Sequence, residues 1–231
     1  VHLRSRIELH VGAGALLVGS PRLADYPVQA ADRPDDHARP GLAPSAEDAE
    51  GLRALLIARD VEDVALTGTG TVDGNGTAFW GPGFMESGRA RPELPRPRPW
   101  IWFANARRAT VRDVHLTHSP SYFLTFERCD DVYVEGVRIR GHVRSPNSDG
   151  IQIEGGRNFR IVGVDIRTGD DGIVIKSSLG PVENVLVTTS YLESDDGAFK
   201  LGTGSENPIR RVRFTDSVIA NSRLGIALFM K

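Results

Sequence analysis

Two short segments hold the residues whose types and spacing could do chemistry. Asn147-Ser148-Asp149-Gly150-Ile151-Gln152-Ile153 is followed by Gly169-Asp170-Asp171-Gly172-Ile173-Val174-Ile175-Lys176. Overlaying Ile151/Ile153 on Ile173/Ile175 brings Asp149 onto Asp171, 22 residues further along. Asp170 stands one residue earlier, with opposite parity. Three carboxylates this close cannot all ionise freely, because like-charge repulsion raises the proton affinity of at least one. One protonated acid beside ionised bases that hold a water is the equipment of general acid–base hydrolysis at a glycosidic bond. Taken alone, each segment reads as a turn former at a strand entry, since Asn, Asp and Gly favour turns. Their register, one repeat apart, is what points to a site.

Such a register needs a repeating scaffold, and the sequence carries one. An apolar residue, an apolar or small residue three later and an apolar residue five later recur together. The copies are Val111-Val114-Leu116, Val134-Val137-Ile139, Ile161-Val164-Ile166, Val187-Ser190-Leu192 and Phe214-Ser217-Ile219, at steps of 23, 27, 26 and 27 residues. Val64, Leu66 and Val72 form a weaker copy, and Ile151/Ile153, Ile173/Ile175 and Phe199/Leu201 alternate strictly between them. Period-two alternation bounded by Gly, Asn and Asp predicts strands. Two or three strands in about 25 residues match one coil of a right-handed parallel β-helix, which buries its apolar face only by stacking on the next coil. A β-sandwich would not enforce the near-constant step, and a leucine-rich repeat needs regular leucines and a shorter period. The reading is one all-β solenoid domain over residues 1–231. Asn105, Asn158 and Asn184 precede strands, where stacked side chains are expected to bond turn backbones.

Two stretches interrupt the repeat. Residues 25–50 are rich in Pro, Asp and Ala, and residues 80–99 in Gly, Pro and Arg. Both are expected as loop insertions walling a groove on one face. Ser45 and Asp48 have cap-like spacing, predicting a short helix from Ser45 to Leu56.

Composition narrows the class. Of the 231 residues 40% are hydrophobic and 25% charged, as in an ordinary globular protein. Net charge is −2 without blocks of one sign, which argues against a dedicated nucleic-acid or membrane-surface binder. No apolar run is long enough for a transmembrane helix. The single cysteine, Cys129, excludes an internal disulfide and a Cys-based zinc site and reads as a small buried hydrophobe. Val1 to Leu17 already reads as strand, and the apolar 225–231 stretch does so again. The expected picture is a solenoid cut at both ends.

NSDGIQIE and TGDDGIVIKS resemble the NTDG and GDD-x-I-x-I-K motifs of the polygalacturonases, glycoside hydrolase family 28. The likeness extends over nearly the whole chain. VHLRSRIELHVGAGALLVGSPRLADYPV is similar to the family's early coil, LTGTGTVDGNG to its G-x-G-x-I-D-G element and RPRPWIWFANARRATVRDVHLTHSPSYFLTF to its nSP-x-W coil. The resemblance implies a right-handed parallel β-helix that hydrolyses α-1,4-galacturonosyl bonds with inversion and without metal or other cofactor. Asp170 would then be the general acid, Asp149 and Asp171 would position and deprotonate the water, and Asn147 would help to hold the cluster. Inversion requires room for that water, with the carboxyls splayed roughly 6.5–9.5 Å apart. It also implies a monomer acting on pectic polysaccharide or oligogalacturonide, with no nucleic-acid or membrane partner, in a secreted or periplasmic setting.

The sequence departs from the pattern in two places. The family's Gly-His-Gly falls on Asp195-Asp196-Gly197-Ala198-Phe199-Lys200, which puts Gly197 where the histidine would stand and adds Asp196 as a fourth carboxylate. The family's Arg-x-Lys substrate clamp falls on Ala227 and Phe229, leaving Arg223 and Lys231 as substitutes. Lys176 and Lys200 have outward parity and account for two of the three lysines in the chain. Each is a candidate for pairing a substrate carboxylate as a point charge. Tyr122, Trp80 and Trp100 could stack on sugars, although packing in the core or a loop is the favoured reading for any one of them. Two other readings stay open: a non-catalytic carbohydrate-binding β-helix module, and a calcium-dependent lyase in which the clustered acids hold the ion.

Overall fold

The computed structural model describes residues 1–29 and 51–230. These wind into a right-handed parallel β-helix with three faces. The first face stacks Leu56–Arg59, Ile101–Ala104, the start of Leu124–Glu135, the start of Ile151–Val162, Ile173–Lys176, Gly197–Leu201 and Leu224–Leu228, all parallel. The second face stacks Glu62–Thr67, Arg107–Arg112, the ends of the two 12-residue strands, Val182–Thr188 and Ile209–Thr215. The third is a separate seven-stranded sheet that runs from Leu16–Val18 to Val218–Ile219.

The repeat read from the sequence is the register of this stack. Val111, Val134, Ile161, Val187 and Phe214 are successive partners on the second face. Leu116, Ile139, Ile166, Leu192 and Ile219 are successive partners on the third. The apolar or small residue between them lies in the corner. Inward positions fill one core, including Leu56, Phe103, Phe126, Ile151, Ile153, Ile161 and Ile175. A fully buried side chain of this kind contributes about 1.5–3 kcal/mol. Phe103 stacks on Phe126 at 5.0 Å, one rung apart. Trp100 and Cys129 belong to this core, and burial pushes the Cys129 thiol up to about 12.

Corners are sharp because single residues there adopt left-handed backbone. Asp131, Asn158, Asn184 and Arg211 all have φ between 54° and 62°. Their side chains form a ladder: Asn158 donates to Asp131 at 2.8 Å, Asn184 to Asn158 at 2.8 Å and Arg211 to Asn184 at 2.5 Å. Asn105 stands in a different column, donating to Asp60 at 2.8 Å and accepting from Arg128 at 2.9 Å. The Asn side chains expected to bond turn backbones instead bond side chain to side chain, in two separate columns.

Outward positions of the first face change character along the axis. Ile57, Trp102 and Ala104 pack with Ala54 into a small outer apolar cluster. Beyond it come Thr125, Gln152, Glu154 and Lys176, all buried and polar. Half of the predicted helix at Ser45–Leu56 lies outside the described residues. Its described part is extended, with Leu52 bridged to Gln29 and Arg53 to Arg98. The second insertion is more ordered than a loop. Trp80–Phe84 and Ala90–Pro92 form an antiparallel hairpin. It docks through Ala90 N donating to Arg144 O at 2.7 Å, an edge contact between Trp80 and His142 at 5.2 Å, and Arg144 over the Phe84 ring at 5.1 Å.

Candidate active site

Both acidic segments occupy the corner between the third and first faces. The overlay of Ile151/Ile153 on Ile173/Ile175, and of these on Phe199/Leu201, is the observed pairing. Gly150 N donates to Asp171 O at 2.8 Å, and Gly172 N to Gly197 O at 2.8 Å. A Cβ on Gly150 would lie 2.5 Å from Gly172 O, and one on Gly172 would lie 2.5 Å from Ala198 O. Glycine after each aspartate thus lets the coils close up, and turn chemistry explains the D-G pairs. It does not explain why the aspartates are buried together.

Asp149, Asp170 and Asp171 are each at most 7% exposed. Thr168 and Ser194 hydroxyls both donate to Asp170 O at 2.7 Å, and Asp171 N donates to Asp170 Oδ1 at 3.0 Å. The nearest carboxylate oxygens of Asp170, Asp171 and Asp196 lie within 4.8 Å of one another. That spacing suits a shared cation, but here side chains supply the positive charge. Lys200 Nζ donates to Asp171 Oδ2 at 2.8 Å, and Gly197 N to Oδ1 at 3.2 Å. Lys176 Nζ stands 3.7 Å from Asp149 Oδ2, donates to Gln152 Oε1 at 3.1 Å and lies 5.3 Å from the centre of the Tyr122 ring. Arg89 Nη1 donates to Asp170 Oδ2 at 2.8 Å, and its Nη2 lies 3.5 Å from Asp196 Oδ2. Arg223 donates to the other carboxylate oxygen of Asp196, Oδ1.

Charge and burial oppose each other across this cluster. Burial pushes Asp149 up to about 7; Lys176 pulls against it, while Asp170 and Asp171 push with it. Burial likewise raises Asp170; Arg89 pulls it down, and Asp171 and Asp196 push it up. Burial works to raise Asp196 too, but the Arg223 hydrogen bond, with Lys200 and Arg89, leaves it below the usual carboxylate range. Asp149 and Asp170 interact, so the first proton belongs to the cluster and not to one residue.

The structure brings Asn147, Asp149, Asp170, Asp171, Lys176, Lys200 and Arg223 into this corner; Lys231 lies outside the described residues. The two lysines have the predicted register, yet their ammonium groups turn onto Asp149 and Asp171 instead of projecting into open solvent. At the position of the absent histidine, a Cβ on Gly197 would lie 3.0 Å from Asp171 Oδ1 and 3.5 Å from Lys200 Cβ. Lys200 fills that space. Two arginines went unnoticed in the sequence, Arg89 and Arg96. Arg96 is buried, and it donates to Pro120 O at 2.8 Å, Pro146 O at 3.0 Å and Asn147 Oδ1 at 2.8 Å. Both lie in the 80–99 insertion, off the repeat, where only its arginine content gave a signal.

The sequence profile of glycosyl hydrolases family 28 matches residues 40–228. A polygalacturonase of Juniperus ashei is 34% identical over 114 residues, covering 49% of this chain and 22% of the relative. A probable polygalacturonase of Vitis vinifera is 26% identical over 237 residues, covering 98% and 46%. The chain therefore spans less than half the length of either relative. Among solved structures, an exopolygalacturonase from Thermotoga maritima superposes with a TM-score of 0.76 at 24% identity, covering 99% of this chain and 57% of that one. A family 28 exopolygalacturonase from Yersinia enterocolitica gives 0.75 at 16%, covering 98% and 47%. These superpositions establish the shared fold.

Proposed function

This chain belongs to glycosyl hydrolases family 28, and from that premise we propose that it hydrolyses α-linked galacturonosyl bonds in pectic polysaccharide, with inversion. The observation that carries the reading is the convergence of Asp149, Asp170 and Asp171 from two adjacent coils onto one buried patch with its own countercharges. Asp170 borders the hairpin side and is assigned as general acid, giving its proton to the leaving glycosidic oxygen as the C–O bond breaks. Asp149 and Asp171 hold the water and accept its proton as its oxygen attacks the anomeric carbon from the opposite side. Lys176 and Lys200 rest their ammonium groups against these two bases, so they serve the carboxylates before any substrate. Asn147 orients the segment leading into Asp149. In this assignment Lys200 supplies the positive charge that a histidine at position 197 would bring. A pectic polymer is met outside the cytoplasm, so a secreted or periplasmic setting follows from the substrate, and nothing in the chemistry calls for more than a monomer.

The test is reducing-sugar release from polygalacturonate by the full-length gene product, with and without chelator, beside Asp170→Asn. Chelator-resistant release that disappears in the variant, with an inverted anomer by NMR, supports the reading. Ultraviolet-absorbing unsaturated product that needs calcium would instead indicate a lyase. No product with retained polymer binding would indicate a carbohydrate-binding module.

A further inference from the structure

The hairpin Trp80–Phe84/Ala90–Pro92 stands outside the coil register, and its tip reaches the acids. Met85 N donates to Arg89 O at 2.8 Å and Gly88 N to Met85 O at 2.9 Å, closing a tight turn with Arg89 at its end. The Arg89 side chain, 17% exposed, spans Asp170 on one coil and Asp196 on the next. The other three cations of the cluster are already committed: Lys176 beside Asp149, Lys200 to Asp171 and Arg223 to Asp196.

This placement conflicts with the task assigned to Asp170. A general acid must carry a proton, whereas a guanidinium fixed on a carboxylate favours the ionised form. The Arg89–Asp170 pair works against the burial that favours a protonated Asp170, so releasing it would strengthen the acid's hold on its proton. A polyuronide brings one carboxylate per sugar, and such a carboxylate matches the guanidinium fork as well as Asp170 does. Asp196 keeps a second hold on the guanidinium, so the exchange needs only a side-chain movement at the rim.

Resting on the reading of this site as a uronide hydrolase, we propose that Arg89 is a specificity-determining residue. Its guanidinium rests on Asp170 in the free protein. On substrate binding it transfers to the carboxylate of a uronate flanking the scissile bond, so that the cluster's proton passes to Asp170 and leaves Asp149 ionised as base. The exchange balances within the cluster: the O–H bond on Asp149 breaks as one on Asp170 forms, and the guanidinium changes carboxylate partners without any covalent change of its own. It couples recognition of the anionic sugar to arming of the acid. The groups facing Asp170 are Arg89, Asp171 and Asp196, with Asp149 and Arg223 within electrostatic reach. Of the groups acting most strongly on it, Arg89 is the one that opposes its protonation through charge.

The experiment compares full-length wild type, Arg89→Gln and Arg89→Lys on an oligogalacturonide and on its methyl ester. We expect Arg89→Gln to lose roughly 10–100-fold in kcat/KM on the acid, as for loss of a charged pairing to substrate, with little change on the ester. Arg89→Lys should restore part of the preference. The alkaline limb of kcat/KM should move to higher pH in Arg89→Gln, because the acid has lost the cation that lowers its proton affinity. An unchanged acid-over-ester ratio together with an unmoved alkaline limb would overturn the proposal. If wild type cleaves neither compound, it is the hydrolase reading that fails. Calorimetric titration of the oligogalacturonide into folded wild type and Arg89→Gln then decides the recognition role: weaker binding in the variant upholds it, and equal binding removes it.

Discussion

Lys200 Nζ donates to Asp171 Oδ2 at 2.8 Å, pairing a lysine on one coil with a buried aspartate on the coil before it. The main-chain N–H of Gly197 completes the hold on the same carboxylate. Removing one partner of a buried pair strands the other charge, which costs about 3–5 kcal/mol. Lys200→Met keeps the stem and deletes the charge. It should lower unfolding stability by about that amount at pH 7, read by urea denaturation. A loss below about 0.5 kcal/mol would show that the carboxylate is adequately solvated without the lysine.

Asp170→Asn should lower kcat roughly 10²–10⁴-fold, the range for loss of a general acid, with an unchanged far-ultraviolet circular dichroism spectrum. Asp149→Asn should likewise depress turnover far more than affinity. Steady-state kinetics on oligogalacturonides separates the two parameters. A near-normal kcat in either variant would reduce that residue to a turn former.

Asp149 also predicts a pH dependence of stability. Its folded value is raised to about 7 from an ordinary 3.8. Between those values the folded state binds a proton that the unfolded state has released, so this group's contribution falls as pH rises through the window and levels off above it. Asp149→Asn cannot titrate there. The stability difference, variant minus wild type, should therefore increase between pH 4.5 and pH 7.5. Urea unfolding at both pH values checks it, and a pH-independent difference would contradict the burial of this carboxylate.

Arg96 ties the insertion to the site by donating to Pro120 O, Pro146 O and Asn147 Oδ1. Arg96→Ala leaves these acceptors without that donor, at about 1–3 kcal/mol for each buried group stranded. The variant should melt earlier, and amide exchange should accelerate in residues 145–150 before the rest of the coil. Uniform acceleration would mean that Arg96 supports the solenoid generally and not this loop.

Much of the fold was legible in the sequence because a solenoid repeats its own constraints. Val111, Val134, Ile161, Val187 and Phe214 recur at nearly constant steps since each must fill the same place in the core one rung on. The same periodicity placed Asp149 beside Asp171 and Gly197 beneath Asp171, because register carries over to the corner residues next to a strand. It also placed Lys176 and Lys200 on the outward face, but not the direction of their ammonium groups. Parity sets which side of a sheet a side chain leaves from; buried charge then sets where it points, since a carboxylate out of water draws the nearest cation.

The insertions were illegible for the complementary reason. Arg89 meets Asp170 across 81 residues of sequence, and Arg96 meets Asn147 across 51. Neither position repeats, so no spacing announced them. By itself the sequence determined the coil, its register and the stacking of the acids, all of which depend on local periodicity and on contacts between neighbouring rungs. Only the tertiary structure decided which cation rests on which carboxylate, and that a hairpin places an arginine on Asp170. Those pairings arise when off-register chain folds back over the solenoid and must neutralise charge that the coils have already buried.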